Sequence, residues 1–177
     1  MQKEIIVLIG GPGTGKSTLI DGLVAKGYCC YPEISREVTL AAQQQGIDQL
    51  FLEQPLLFSE MLLKGRIEQF ENAHKEEAAI VFIDRGIPDV VAYMDFIGDN
   101  YPTHFTAACE NFKYSKIFLL PPWEEIYQSD GERYENFEQA QIIYTHLVAT
   151  YQKYGYHLIE VPKDTVENRI LYILDKI

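Results

Sequence analysis

The sequence predicts an α/β fold, a parallel sheet with helices on both sides, and three observations carry that prediction. Five short apolar runs alternate with segments of helical periodicity along 177 residues. The first run feeds directly into a glycine-rich loop, Gly10-Gly11-Pro12-Gly13-Thr14-Gly15-Lys16-Ser17. The third ends in an acid, Asp84, where a sheet of this kind collects ligands beyond the carboxyl ends of its strands.

The first strand is Ile5 to Ile9, apolar throughout, and the loop after it has a glycine, four free positions, Gly-Lys, then Ser. That is the pattern of a phosphate-binding loop. A polyphosphate carries several negative charges, and only backbone amides turned inward approach all its oxygens at once. Glycines allow that turn and the close approach, while Pro12 stiffens the loop and gives up one donor. A helix beginning near Lys16 points its positive end at the phosphates. Gly11, Pro12, Gly13, Thr14, Gly15, Lys16, Ser17 and Thr18 are therefore the candidate nucleotide-binding residues, with ATP and Mg2+ as the expected cofactors. Lys16 reaches the β and γ phosphates and the Ser17 hydroxyl joins the magnesium shell.

The helix after the loop stops at Lys26-Gly27, a cation followed by a C-terminal glycine, and Tyr28 to Tyr31 reads as the second strand. A helix from Ser35 through Gln45 closes at Gly46. Leu56, Leu63, Ile67 and Phe70 then mark one face of a long helix from Pro55 to Glu77. Ala79 to Asp84 is a continuous apolar run that suits a strand buried on both faces. Helices are expected over 88–96 and 102–112, and a fourth strand over 116–120, stopped by Pro121-Pro122. The polar segment from Trp123 to Asn136 contains the turn signal Asp130-Gly131 and reads as a small flap. Phe137, Ala140, Tyr144, Leu147, Val148 and Tyr151 mark the next helix, and Tyr156 to Val161 the last strand. Asp164 with Glu167 resembles a capping box opening a final helix whose Val166, Ile170, Leu174 and Ile177 face inward. No repeat or linker interrupts the chain, so residues 1–177 are expected to form one domain.

An apolar fraction of 47% with 12% aromatic residues suits a globular protein with a sizeable core. Fifteen Lys and Arg against 26 Asp and Glu give a net charge of −11, which disfavours nucleic acid and anionic membrane as partners. No apolar run approaches the ~20 residues that span a bilayer. Cys29, Cys30 and Cys109 have no metal-ligand or pairing pattern and read as small buried hydrophobes in a reducing cytoplasm, the expected location. The four histidines share no spacing and propose no metal cluster.

Asp84 stands where an acid beside the phosphate loop holds magnesium directly or through water; alternatively it caps the next turn. Arg85 follows it, where motor ATPases place a second acid to orient water. A cation there points to transfer onto a substrate and not to hydrolysis. Glu33, just past the second strand, is placed to accept a proton or a hydrogen bond from a substrate hydroxyl, or else serves as a helix-start carboxylate; Arg36 lies on the same turn. Arg133 is positioned in the flap to neutralise phosphate charge, or is a solvated arginine paired with Glu132 or Glu135. The candidate catalytic residues are thus Lys16, Asp84, Arg85, Arg133 and Glu33, with Ser17 and Asp84 as candidate metal ligands.

Taken together, Gly10 to Ser17, Glu33-Ile34-Ser35-Arg36-Glu37, Phe82-Ile83-Asp84, Pro122-Trp123 and Asp130-Gly131-Glu132-Arg133 resemble the NadR-like AAA-type P-loop family, whose kinase branch phosphorylates ribosylnicotinamide. The resemblance spans nearly the whole chain. It implies a P-loop, kinase-like three-layer α/β/α fold with the Asp84 strand inserted beside the first, in strand order 2-3-1-4-5. The chain departs from the ribosylnicotinamide kinases at Asp84-Arg85-Gly86 and in its longer spacing from Trp123 to Asp130. Arg85 after an apolar strand is also similar to deoxynucleoside kinases, in which a glutamate beyond the second strand serves as base, matching Glu33. The expected activity is phosphotransfer from a nucleoside triphosphate to a hydroxyl of a small, nucleoside-like molecule. A nucleotide-binding regulatory module acting on a protein partner, or an ATPase without an acceptor, is the alternative.

Overall fold

Strand β1 (Glu4–Ile9) is the centre of the sheet, and Ile5 through Ile9 are all buried. A strand covered on both faces needs an unbroken apolar run, which is what this stretch supplies. The computed structural model describes residues 3–127 and 135–177. In chain order, β1 is followed by α1 (Lys16–Ala25), β2 (Cys29–Tyr31), α2 (Ser35–Gln44), α3 (Leu50–Glu53) and α4 (Pro55–Lys75). Then come β3 (Ile80–Asp84), α5 (Ile87–Ile97), α6 (Thr103–Asn111), β4 (Lys116–Leu119), a 3-10 turn (Glu124–Ile126), α7 (Phe137–Lys153), β5 (Leu158–Glu160) and α8 (Val166–Asp175). The strands form one sheet in the order β2-β3-β1-β4-β5, with every neighbouring pair parallel.

Alternation along β1 divides the core. Ile5, Val7 and Ile9 join Val81, Ile83 and Leu119 beneath α4, α5 and α7, where Leu62, Val90, Leu147 and Tyr151 fill the space. Ile6 and Leu8 join Phe82 and Phe118 on the opposite face, beneath Leu19 and Leu23 of α1 and Ile170 and Ile173 of α8. The register pairs Leu8 with Asp84, so the acid at the end of β3 emerges beside the start of the loop after β1. Burying this apolar surface stabilises by roughly 25 cal/mol per Å2, and the sheet fixes where both loops leave it.

Several elements depart from the expectations. The short helix α3 was not anticipated, and Leu56, assigned to the inner face of α4, is 39% exposed. The inward stripe of α4 runs instead through Ser59, Leu62, Leu63, Arg66, Gln69, Phe70 and Ala73, and includes polar groups that bond to neighbouring loops. Cys29 and Cys30 are half-buried, because β2 is an edge strand of three residues, whereas Cys109 is buried. The last helix is capped by Thr165, whose Oγ1 accepts from the Asn168 amide at 3.3 Å. Asp164 instead receives the Thr165 amide and the Asn168 side chain, and Glu167 pairs with Lys26 at 3.0 Å. That one-residue shift leaves Val166 41% exposed and turns Arg169 inward. Among the described residues, no helix is long and apolar enough to cross a membrane.

Candidate active site

The loop after β1 is a tight backbone cradle. Gly13 and Gly15 have φ of 73° and 86°, the left-handed region that glycine enters without steric cost, and Gly15 caps α1. At Gly10 a Cβ would lie 2.7 Å from the Leu120 carbonyl oxygen and 2.9 Å from Thr14 Oγ1. Thr14 is fully buried and donates to the Gly11 carbonyl at 3.0 Å, drawing the loop closed.

Lys16 is the first residue of α1, and its buried Nζ donates to the carbonyls of Gly10 and Gly11 at 2.8 and 2.9 Å and to Thr14 Oγ1 at 3.3 Å. Three donated bonds suit an ammonium. Burial, then repulsion from Arg85, nevertheless draws its pKa down to about 7, against the opposing pull of Asp84, Asp89 and Glu33. A polyphosphate brought to this loop supplies the negative charge that would restore the ammonium form. Ser17 and Thr18, in the first turn of α1, are exposed.

Asp84 is buried, with one carboxylate oxygen lacking any hydrogen-bond partner among the described residues. Burial raises its pKa, and Lys16 and Arg85 oppose that rise. A buried carboxylate oxygen without a partner and an exposed serine hydroxyl are oxygen donors of the kind that a hard divalent cation with retained waters takes, so the chemistry of Asp84 and Ser17 fits magnesium.

Arg85 is the only non-glycine residue with positive φ among the described residues, at 68°. Its amide donates to the Leu8 carbonyl at 3.0 Å, pinning the strained turn to β1. Burial opposes the charge on its guanidinium, but Glu33, Asp89, Asp84 and Glu135 outweigh that and raise its pKa. Gly86 follows in extended backbone, and its amide donates to Asp89 Oδ2 at 2.9 Å. Asp89 is buried and also accepts from the Tyr151 hydroxyl at 2.5 Å, while Tyr114 Oη accepts from the Ile87 amide at 3.1 Å. These bonds lock the turn that presents Asp84 and Arg85.

Glu33 sits at the start of α2. Its carboxylate accepts from the amides of Ile34 and Ser35, both at 3.1 Å, from the Ser35 hydroxyl, and from Arg66 Nη2 at 3.4 Å. Burial alone would raise its pKa; Arg85, Arg66 and the Ser35 bonds reverse that and hold it at about 2. The helix-start reading of Glu33 holds, since its carboxylate accepts the first amides of the turn into α2, and the same carboxylate faces Arg85 after β3 and Arg66 of α4. Arg36 is exposed. Arg133 and the Asp130-Gly131-Glu132 segment lie outside the described residues, so only the flanks of the expected flap are seen, Trp123 to Tyr127 and Glu135 to Asn136.

Sequence reasoning missed four residues here. Arg66 and Gln69 lie inside the apolar stripe of α4, and Asp89 lies three residues after Gly86 in the position that caps α5. Arg169 occupies the inner stripe of α8, next to Ile170. A charged residue on an otherwise apolar helix face is the signal that could have found Arg66 and Arg169. Arg169 is buried, donates to the Thr14 carbonyl at 3.0 Å and lies 5.6 Å from the centre of the Trp123 ring. With Gly13, Gly15, Thr18, Trp123 and Thr165 it lines a cavity of about 640 Å3 opening beside the loop.

A family model described as an AAA domain matches residues 5–169. A search of curated proteins gives no match. Among solved structures, a NadR protein in complex with NR superposes with a TM-score of 0.76 at 18% identity, covering 98% of this chain and 51% of that one. Deoxyadenosine kinase from M. mycoides, with products dCMP and dCDP bound, gives 0.72 at 17% identity, covering 97% of each chain. Thymidylate kinase from Candida albicans gives 0.72 at 14%, covering 99% of this chain and 91% of that one. At these identities the likeness establishes a shared fold, the parallel α/β fold of P-loop kinases.

Proposed function

The chain belongs to the AAA domain family, and from that premise and the site geometry we propose that it is an ATP-dependent phosphotransferase acting on a hydroxyl of a small, nucleoside-like molecule. The single observation that carries this reading is the sequence of groups at the ends of β1, β2 and β3: a phosphate cradle with Lys16, Asp84 with one carboxylate oxygen left without a hydrogen-bond partner among the described residues, Arg85, and an ionised Glu33 facing them.

Phosphoryl transfer asks the protein mainly for position and charge, because its transition state is loose. The loop amides and Lys16 grip the β and γ phosphates, and α1 directs its positive end at them. Ser17 and Asp84 would hold magnesium, which when bound would neutralise charge on the phosphate oxygens. Arg85 meets the charge that spreads over the γ-phosphoryl oxygens. With a pKa near 2, Glu33 is a weak base; it orients the acceptor hydroxyl by accepting its hydrogen bond, and takes up little of its proton. The cavity beside Trp123 and Arg169 receives the sugar and base of the donor nucleotide. NadR with NR and the deoxyadenosine kinase with its deoxynucleotide products share the fold, which supports a nucleoside-like acceptor.

The test is a screen of nucleosides and related hydroxylic metabolites with γ-labelled ATP and magnesium. A labelled phosphate ester that disappears in Asp84→Asn supports the proposal. Release of label only as inorganic phosphate, with every acceptor, contradicts it.

A further inference from the structure

Two segments form the acceptor side of this site, the loop after β2 carrying Glu33 and the end of β3 with the turn after it, carrying Asp84 and Arg85. They belong to different strands and have no covalent connection shorter than the whole of α2, α3 and α4. Both are held by the same buried stretch of α4. Arg66 is 4% exposed; its Nη1 donates to the Gly86 carbonyl at 3.0 Å and its Nη2 reaches Glu33 Oε1 at 3.4 Å. One turn further along, Gln69 Nε2 donates to the Pro32 carbonyl at 2.8 Å. A planar guanidinium spans two acceptors in a fixed geometry, which a lysine ammonium does not reproduce.

We propose that Arg66 is a positioning residue for the transfer reaction, a buried strut that sets the separation of Glu33 from the Arg85-Gly86 turn and so aligns the acceptor hydroxyl with the phosphoryl group. This rests on the kinase reading above. Arg66 acts through Glu33 and Gly86: its two terminal nitrogens bond to those partners, while its buried Nε has none among the described residues. A misplacement of about 1 Å at such a site costs about a hundredfold in rate, which gives the strut kinetic consequence without contact to the reacting atoms. Breaking a buried ion pair from one side also leaves the other charge uncompensated, so Glu33 would move as well as lose a partner.

The experiment is a double-mutant cycle on kcat and KM, with Arg66→Met and Arg66→Lys each made in the wild type and in Glu33→Gln. Arg66→Met is expected to lower kcat about a hundredfold with less than about threefold change in KM for ATP, and to cost less than about tenfold in the Glu33→Gln background. Arg66→Lys, which keeps the charge and one of the two bonds, is expected to fall between. Equal losses in both backgrounds, or full activity in Arg66→Met, overturn the proposal.

A second measurement does not depend on turnover. The Glu33 carboxyl carbon is followed by NMR through an acid titration in the wild type and Arg66→Lys, and in Arg66→Met where it folds. Glu33 faces Arg66 from α4, Arg85 from the β3 turn, Ser35 from its own helix, and Lys16 and Asp84 across the site. Loosening Arg66 is expected to move the midpoint upward from about 2, with Arg85 and Ser35 retaining part of the shift. An unmoved midpoint shows that Arg66 does not position Glu33, whatever the kinetics. A wild type that transfers no phosphoryl group refutes the kinase reading alone, and the titration still decides the strut.

Discussion

Replacing Gly86 by alanine tests whether the turn carrying Asp84 and Arg85 is held as described. The backbone there is extended, with φ of −115°, so the methyl group brings no dihedral strain, and any cost is steric. The new Cβ would stand 2.6 Å from Tyr151 Oη and 3.0 Å from the Tyr114 ring. Neither neighbour can swing aside: Tyr151 is fully buried with its hydroxyl 2.5 Å from Asp89, and Tyr114 is 6% exposed and accepts from the Ile87 amide. Overpacking of this kind costs about 1–3 kcal/mol. Displacing the Tyr151 hydroxyl from a carboxylate adds roughly 1.5–3 kcal/mol. A combined loss of about 3–5 kcal/mol lowers the melting temperature by about 10 °C in a chain of this size. Thermal unfolding followed by circular dichroism reads the effect, and Gly86→Ala combined with Tyr151→Phe gives its origin. The double variant should lose at least about 1 kcal/mol less than the sum of the two single losses, because removing the hydroxyl makes room for the methyl. A Gly86→Ala protein melting within about 2 °C of the wild type would refute the packing of this turn.

Other consequences follow from the same geometry. Glu33 has its pKa lowered from 4.5 to about 2, so its contribution to stability is complete above the unfolded value and is lost as pH falls through the folded one. Glu33→Gln should therefore cost on the order of 3 kcal/mol at neutral pH, with the gap closing between pH 4.5 and about 2; a pH-independent gap in denaturant titrations would contradict this. A Lys16 amine with a pKa near 7 is about nine-tenths neutral at about pH 8, so ATP binding there should draw up to about one proton from solution. Binding heats that do not depend on the ionisation enthalpy of the buffer would count against it. Gly10→Ala sets a methyl against the Leu120 carbonyl and should weaken ATP binding at least about tenfold, as read by a fluorescent ATP analogue; unchanged affinity would mean that the cradle tolerates a side chain there.

The site was legible in the sequence where chemistry and local pattern coincide, and obscure where it is made by tertiary packing. The loop, β1 and Asp84 could be read because a glycine pattern follows an apolar strand and the acid ends another. The register of Leu8 with Asp84 brings them together as the strand order 2-3-1-4-5 implied. Arg85 was read as a cation near the phosphates, yet its left-handed backbone follows from its bond to Leu8 and the Gly86-Asp89 cap, which no local propensity encodes. Arg66, Gln69 and Arg169 were missed because periodicity treats an inward helix stripe as apolar, and the hydrogen bonds that these side chains donate go to loops distant in sequence. The cap of α8 fell one residue late because Asp164 and Thr165 are both good capping residues, and the hydrogen bond to Asn168 decides between them.

The most direct measurement is calorimetric titration of the wild type and Lys16→Met with ATP and magnesium. A saturable exothermic isotherm near one equivalent in the wild type, reduced to the heat of dilution in Lys16→Met, is the result predicted. Equal binding by the two proteins, or no binding by either, would contradict the central claim that this loop and its lysine hold a nucleoside triphosphate.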